Sequence, residues 1–106
     1  MQNVELIIVF VTCRPDDAEK IARVLVEERF AACVNIIPVK SVYHWRDELC
    51  RDEESLLVIK SNSGIYKRLE KRIKDIHPYD VPEIVAVKTE AVEDEYLKWV
   101  LKQTGG

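Results

Sequence analysis

The chain has 106 residues, of which 47% are hydrophobic and 33% are charged, and its formal net charge at pH 7 is -3. This length suits one domain with a modest core, so residues 1–106 are expected to form a single domain. Nucleic acids and anionic lipids attract basic surfaces, so the acidic balance predicts neither as a partner. The longest apolar run, residues 6–11, is too short to span a bilayer, and a cytoplasmic location is predicted.

The first half of the chain alternates between strand-like and helix-like patterns. Residues 4–12 are apolar or β-branched at nearly every position, which is typical of a strand covered on both faces. Pro15 and the two aspartates after it predict a helix that runs to about residue 29, because proline fits the first turn and acids favour the N-terminal end. Residues 31–45 and 49–61 are predicted to be two extended segments joined by a polar turn.

The second half repeats the alternation. A second helix is expected to be capped by Ser63 and Gly64 and to end before Pro78. Residues 84–89 are typical of a fourth strand and residues 94–102 of a short terminal helix. The order β-α-β-β-α-β plus one helix predicts an α+β, ferredoxin-like fold, with an antiparallel sheet and both long helices on one face.

The second extended segment is too long for a solitary domain. At about 3.3 Å per residue it would span roughly 45 Å, whereas strands average about 5 to 6 residues. Two helices do not cover that length, and an uncovered strand end tends to pair with another chain. Pro38 has no backbone N–H to donate to the β-ladder, so a bend or bulge is predicted there. Such a bend would let one strand take part in two sheets. We therefore expect a homo-oligomer whose interface contains Pro38, Val42, Tyr43, Trp45 and Trp99.

The segment His77–Ile84, with the sequence HPYDVPEI, carries an unusual mixture of side chains for a connection. Its two prolines stiffen the backbone, and the residue before each is pushed out of the helical region. A stiff backbone with an imidazole, a phenol and two carboxylates suits either a binding site or a structural latch. The three cysteines, Cys13, Cys33 and Cys50, are widely spaced and odd in number, which argues against a paired disulfide framework or a zinc knuckle.

Five segments carry a family resemblance that covers almost the whole chain. They are residues 31–38 (AACVNIIP), 41–45 (SVYHW), 56–61 (LLVIKS), 77–84 (HPYDVPEI) and 96–99 (YLKW). In this order they resemble the CutA family, the divalent-ion tolerance proteins. The resemblance implies a cytoplasmic homotrimer of ferredoxin-like subunits, similar in architecture to the PII nitrogen-regulatory proteins, and an association with tolerance to copper and other divalent metals.

The resemblance also implies a metal site. Some family members bind copper through a cysteine at the end of the first strand and a histidine pair before the proline of the HPY motif. Here Thr12 stands at the cysteine position and Cys13 one residue later, while Ile76 replaces the first histidine and His77 matches the second. Strand side chains alternate between faces, so the offset could turn the thiol away. The expected cofactor is Cu(II) or another divalent cation held by His77 and Cys13, completed by another side chain or subunit. No organic cofactor is predicted.

Four further residues are candidates for a ligand-binding cleft between subunits, namely Lys60, Tyr79, Glu83 and Trp45. Each also has a structural interpretation: Lys60 as a strand-end lysine with its amine in water, Glu83 as an ion-pair partner, and the aromatic residues as interface packing. The acidic run at residues 52–54 could attract cations, and its structural interpretation, which is favoured, is a solvated strand edge or bulge.

Two classes of function fit these residues. The first is a trimeric PII-like binding or signalling module that senses a divalent ion or a small anionic metabolite in the clefts between subunits. The alternative is an enzyme that uses Lys60, His77, Tyr79 and Glu83 as acid–base groups in the same cleft. The chain has three glycines, no phosphate-cradling glycine loop and no nucleophile motif, which favours the binding module and predicts no catalytic residue. A structural trimer that stabilises a partner protein is a third possibility.

Overall fold

The computed structural model describes residues 4–105. Within this range, four strands form one antiparallel sheet in the order β2-β3-β1-β4, and no helix is long and apolar enough to cross a membrane. The predicted ferredoxin-like α+β fold with an additional C-terminal helix is confirmed. Its elements are β1 (Leu6–Cys13), α1 (Pro15–Glu27), β2 (Cys33–Trp45), β3 (Glu48–Asn62), a 3-10 turn (Ser63–Ile65), α2 (Tyr66–Ile76), β4 (Ile84–Lys88) and α3 (Asp94–Gln103).

Helices α1 and α2 cover one face of the sheet. Side chains alternate along a strand, so Val9 and Val11 of β1 and Leu57 and Ile59 of β3, which pair across the ladder, point to the same face. These side chains pack against apolar residues of the two helices, and all of them are essentially inaccessible to solvent. The helix residues of this core are Ala18, Ile21 and Leu25 on α1 and Leu69 and Ile73 on α2.

The opposite face of the sheet is only partly covered. Helix α3 lies over one end of it, where Leu6 and Val100 are buried. Beyond α3 the sheet keeps exposed apolar side chains, with Ile37 44%, Val85 50% and Val87 40% accessible. We call this surface the helix-free face; it consists of Phe10, Ile37, Leu56, Val58, Val85 and Val87. A contiguous exposed apolar surface of this kind marks a contact with another molecule.

The β2–β3 hairpin projects beyond the rest of the sheet. Its ladder runs without a break from Cys33 opposite Lys60 to Trp45 opposite Glu48, whereas β1 ends with Cys13 opposite Ser55. The molecule is accordingly elongated, measuring 47 × 26 × 23 Å. The expected uncovered end is confirmed, because Val42, Tyr43 and Trp45 are 63%, 38% and 41% exposed.

Two local features of the hairpin are the pairing of Pro38 and the conformation of the turn. Pro38 pairs opposite Ser55 with no skipped residue, so the predicted bulge is wrong. Strand β2 is an edge strand, where the missing N–H of a proline is tolerated. The turn is formed by Arg46 and Asp47, whose φ angles of 51° and 67° suit the type I′ turn that two-residue hairpins favour.

The ends of α2 position the loop that follows it. The side chain of Asn62, rather than that of Ser63, caps the start of this segment by accepting a hydrogen bond from the Gly64 N–H at 2.9 Å. The helix ends at Ile76, and His77 is extended (φ -82°, ψ 132°), as expected for the residue before a proline. The predicted stop at Pro78 is therefore confirmed.

The helix-covered core is expected to dominate the stability of the subunit. Leu25→Ala removes a fully buried side chain of α1 and should lower the free energy of unfolding by about 2–5 kcal/mol, through lost burial and the cavity left behind. The neighbouring Val26 is 39% exposed, and Val26→Ala should cost less than about 1 kcal/mol. Guanidinium unfolding of both variants measures the difference; equal losses would contradict the assignment of the core.

Candidate functional site

An open cleft of about 560 Å³ lies between the hairpin and the loop of residues 77–83. The end of β1 and the helix-free side of the hairpin form its floor and one wall, and the loop forms the other wall. Residues that alternate along β2, Ser41, Tyr43 and Trp45, point to this side. The complete lining is Thr12, Ser41, Val42, Tyr43, Trp45, Glu54, Tyr79, Asp80, Val81 and Glu83.

His77 fastens the loop to the sheet. The residue is 7% exposed, its Nε2 lies 2.8 Å from the carbonyl oxygen of Thr12, and its Nδ1 accepts a hydrogen bond from the Tyr79 N–H at 3.1 Å. A carbonyl oxygen only accepts and a backbone N–H only donates, so the geometry assigns the proton to Nε2. Both ring nitrogens are engaged within the chain. The imidazole therefore acts as a latch.

Glu54 and Tyr79 form the buried polar contact at the base of the cleft. Glu54 is 5% exposed, and the Tyr79 hydroxyl donates a hydrogen bond to its Oε2 at 2.7 Å. Burial, together with this hydrogen bond, raises the pKa of Tyr79 above its ordinary value, so the phenol keeps the proton that it donates. At the rim, the Thr12 hydroxyl donates to Glu83 Oε1 at 3.4 Å.

The hairpin side of the cleft is aromatic. The Tyr43 hydroxyl donates to Asp52, and this hydrogen bond is the main cause that raises the pKa of Tyr43 to about 12. The guanidinium of Arg46 lies 5.4 Å from the centre of the Trp45 ring and 3.9 Å from the Asp80 carboxylate. The lining contains three carboxylates, and no lysine or arginine of residues 4–105 belongs to it. Carboxylates therefore outnumber cations at the cleft, where the only neighbouring cation described is Arg46 beside Asp80.

The structure brings together three of the four predicted cleft residues, since Trp45, Tyr79 and Glu83 all line this cleft. Lys60 lies elsewhere: it is half-buried, and its ammonium donates to the side chain of Asn35 on β2. It is separated from Glu54 by roughly 20 Å along β3, at about 3.3 Å per residue. Lys60 therefore lies too far from the cleft to bind an anion or to act as an acid–base group there.

The two predicted metal ligands do not form a donor set within one chain. Cys13 is fully buried in the core beneath α1, and burial, with smaller effects of Asp17 and Glu54, raises the pKa of its thiol to about 11. A cysteine binds a metal ion as the thiolate, and both ring nitrogens of His77 are already engaged within the chain. Within residues 4–105, no three His, Cys, Asp or Glu side chains are grouped to hold a metal ion. The residues of one chain therefore do not fit a metal centre at Cys13 and His77.

Sequence reasoning missed the most buried residue of the cleft. Glu54 was interpreted as part of a solvated acidic run, and this is wrong, because it shares the helix-free side with Leu56 while Glu53 points to the other side. The local signal was its position two residues before the apolar part of β3, residues 56–59. The loop that buries it comes from residues 77–83, which no local pattern connects to β3.

The buried contact between Tyr79 and Glu54 should contribute measurably to stability. Tyr79→Phe leaves a buried carboxylate without its donor and is expected to lower the free energy of unfolding by about 1–3 kcal/mol. Tyr43→Phe, the matched loss at the exposed hairpin end, should have a clearly smaller effect. In a Glu54→Gln background the cost of Tyr79→Phe should shrink, since the amide is neutral. Unfolding in guanidinium tests this; a Tyr79→Phe effect that Glu54→Gln leaves unchanged would argue against the contact.

The buried thiol of Cys13 should be unreactive in the folded protein. Its raised pKa means that it stays protonated until the pH approaches about 11, whereas thiolate is the form that reacts. Iodoacetamide at about pH 8 should modify Cys13 only after unfolding in guanidinium, as read by peptide mass mapping. Rapid modification of Cys13 in the native protein would show that it is accessible as a thiolate and would revive it as a metal ligand.

Comparisons with known proteins agree with this architecture. The family model for the CutA1 divalent ion tolerance protein matches residues 7–103. The divalent-cation tolerance protein CutA of Thermus thermophilus is 47% identical over 89 residues, which is 83% of this chain and 86% of that protein. The protein of the same name from Pyrococcus horikoshii is 37% identical over 101 residues, 93% of this chain and 98% of that protein.

A solved structure is similar over nearly its whole length. The PII-like protein CutA from Nostoc sp. PCC 7120 in apo form superposes with a TM-score of 0.89 at 39% identity, and the match covers 92% of this chain and 96% of that chain. Sequence and fold thus agree over the sheet, the hairpin and the loop that form the cleft. The chain belongs to the CutA family of divalent-ion tolerance proteins and has their PII-like fold.

Proposed function

We propose that the chain assembles as a homotrimer and acts as a PII-like binding module, which binds a cationic ligand in clefts between its subunits. The ligand is a divalent cation or a small organic cation. The observation that carries the proposal is the cleft of one subunit, which lies between a hairpin that projects past its own sheet and a loop held by buried polar contacts, and which three carboxylates line. A second subunit that packs on the projecting hairpin would border this cleft and complete it.

Assembly is supported by the surfaces that one subunit leaves open. The helix-free face is apolar, and the projecting hairpin exposes the apolar side chains of Val42, Tyr43, Trp45 and Leu49 among charged ones. Association removes such apolar surface from water. Strands β2 and β4 are both sheet edges, which can pair with another copy. The proposed interface residues include those of the hairpin and Trp99 of α3, which is 43% exposed and stacks on Tyr96 with ring centres 5.7 Å apart. The subunit number, three, rests on the family resemblance, as does the proposed cytoplasmic location.

The carboxylates of the cleft favour a positively charged ligand. Glu54, Asp80 and Glu83 line it, and a carboxylate interacts with a cation more strongly where water is excluded, as around Glu54. An anionic metabolite would be repelled. Carboxylate oxygens are suitable ligands for hard divalent cations. Because residues 4–105 of one chain lack a group of three metal-binding side chains, Cu(II) or another divalent ion would need ligands from a second subunit or from water.

The enzyme alternative has less support. Its proposed acid–base set is not assembled, since Lys60 lies away from the cleft and both nitrogens of His77 are bonded within the chain. Tyr79 and Glu83 remain in the cleft, but Tyr79 is engaged with Glu54 and Glu83 with Thr12. These hydrogen bonds within the chain are instead consistent with a rigid binding site.

A charge on the helix-free face should disrupt the proposed assembly. Val85→Glu places a carboxylate at a half-exposed apolar position of this face and is expected to shift sedimentation velocity profiles toward the single subunit. Val26→Glu, on the solvent side of α1, is the matched control and should sediment like wild type. Unchanged sedimentation of Val85→Glu would place the contact elsewhere.

The ligand proposal is tested by thermal shift in mild denaturant. A ligand that binds only the folded state raises the melting temperature, so Cu(II), Zn(II) or small amines should stabilise the protein while small dicarboxylic acids do not. Glu54→Gln should reduce the stabilisation, and Glu53→Gln, whose side chain points away from the cleft, should not. Stabilisation by anions alone would contradict the proposed polarity of the cleft.

A further inference from the structure

Helix α2 is strongly basic in a chain whose net charge is negative. Five of the 16 lysines and arginines lie within its 11 residues, beside two acidic residues, whereas the whole chain has a formal net charge of -3. The five are Lys67, Arg68, Lys71, Arg72 and Lys74. We propose that the outer side of α2 is a docking surface for an acidic α-helix of another protein. This surface is separate from the cleft, so its role goes beyond the proposed function.

Three of these lysines form a stripe on the side of α2 that faces away from the sheet. Leu69 and Ile73 are fully buried against the sheet. Lys67, Lys71 and Lys74 follow one another at spacings of four and three residues, which places them on one side of the helix, and all three are exposed. We call them the basic stripe. They point away from the helix-free face, so assembly through that face leaves them in water.

The ammonium groups of the basic stripe are weakly engaged within the chain. Lys67 lies 3.8 Å from Glu70, and its side chain is 87% exposed. Lys71 lies 3.3 Å from Asp75, and its side chain is 78% exposed. Lys74 forms no ion pair with any residue in the range 4–105. Because exposed ion pairs of this kind contribute little, a partner that brings several carboxylates together can replace them.

The other side of α2 is held firmly. The guanidinium of Arg72 donates two hydrogen bonds to the carboxylate of Glu28, the residue that follows α1, at 2.7 and 2.9 Å. A bidentate pair of this kind fixes the orientation of both groups. With its apolar side in the core and this link to the end of α1, the helix presents the basic stripe in a fixed geometry. A surface that is already rigid loses little conformational entropy when a partner binds.

The surroundings of α2 favour a narrow protein partner over a broad anionic surface. Basic amphipathic helices bind either membranes or acidic protein segments, and the membrane mode inserts the apolar side of the helix. Here that side is buried in the core. The neighbouring α1 exposes Asp16, Glu19 and Glu27, which would repel a membrane or a nucleic-acid duplex laid across both helices. A single α-helix, about 10 Å in diameter, can contact α2 without covering α1.

The spacing of the basic stripe matches that of another helix. At roughly 1.5 Å per residue, Lys67 and Lys71 are about 6 Å apart along the axis, and Lys71 and Lys74 about 4.5 Å. A helix with glutamates at positions i, i+4 and i+7 repeats the same intervals. Alternate residues of an extended chain are roughly 6.6 Å apart, so its carboxylates would fall out of register by the third contact. The expected partner therefore presents its acidic side chains on one side of an α-helix.

Peptide binding to the full-length protein tests the proposal. The probe is an alanine-rich, fluorescently labelled peptide of about 20 residues, long enough to be helical, with glutamates repeated at positions i, i+4 and i+7. We expect saturable binding by fluorescence anisotropy in low salt, and weaker binding as salt screens the charges. A peptide with glutamine at the same positions should bind about tenfold or more weakly. Equal binding of the two peptides would overturn the proposal.

A third peptide tests the helical form of the partner. It keeps the glutamates but has a proline at its centre, which breaks the helix. It should bind several-fold more weakly than the helical peptide. Binding as tight as that of the helical peptide would overturn an acidic helix as the occupant.

Variants with matched charge locate the surface. The double reversal Lys67→Glu with Lys71→Glu should weaken binding of the helical peptide by about tenfold or more. Lys20→Glu with Arg23→Glu changes two exposed cations of α1 by the same amount and should alter binding by less than about threefold. Lys67→Gln with Lys71→Gln should give an intermediate loss without adding carboxylates to α2. Circular dichroism and sedimentation confirm that each variant is folded and assembled like wild type. Equal losses for the two double reversals would show that net charge alone governs binding and would overturn the docking surface.

Other occupants give different results in the same assay. Vesicles that contain phosphatidylserine and a DNA duplex should bind more weakly than the helical peptide at about 150 mM salt. Tighter binding of either one, lost in Lys67→Glu with Lys71→Glu, would assign the surface to a membrane or to nucleic acid instead. Growth of the wild-type assembly at high protein concentration that the same variant abolishes would make a second copy of the chain the occupant. Each of these results would overturn an acidic helix of another protein as the partner.

Discussion

The structure depends on a sheet of which only one face is fully covered by helices. Helices α1 and α2 close the first face over a fully buried core, and α3 reaches only one end of the second. Val85 and Val87 therefore stay in contact with water, beside a hairpin that extends past the end of β1. Exposure of apolar side chains and of unpaired strand edges to water is unfavourable. Contact with a second copy of the chain can remove both from water. The position of the cleft follows from the same geometry, since the projecting hairpin is one of its walls.

The other wall is rigid because buried polar groups hold it. Proline residues restrict the backbone on both sides of Tyr79, and His77 ties the loop to the carbonyl of Thr12. Tyr79 then reaches across to Glu54 and completes a contact between two segments 25 residues apart. An unpartnered buried carboxylate is costly, so this loop has one favoured position over the sheet. A cleft between two fixed walls is suited to binding without large rearrangement, because little ordering has to accompany the ligand.

The sequence predicts the elements well because their signals are local. Pro15 and Pro78 mark helix boundaries through the backbone geometry of a single residue. The apolar run of β1 and the apolar periodicity of α1 are also local patterns. Signals that depend on distant segments were less informative. The burial of Glu54, the engagement of both nitrogens of His77 and the separation of Lys60 from the cleft are all set by how residues 77–83 fold back onto β1 and β3. The unbroken pairing at Pro38 depends on its place at a sheet edge, which strand order alone determines.

The direct test of this account is the mass of the wild-type protein under native conditions. Native mass spectrometry at micromolar concentration should give a species of three times the 12.3 kDa subunit, with no folded single subunit. Hydrogen exchange on the same sample should show protected amides along the outer edges of β2 and β4, which one subunit alone leaves unpaired. A stable, folded species of 12.3 kDa would contradict the account, because the helix-free face and the hairpin would then be tolerated in water.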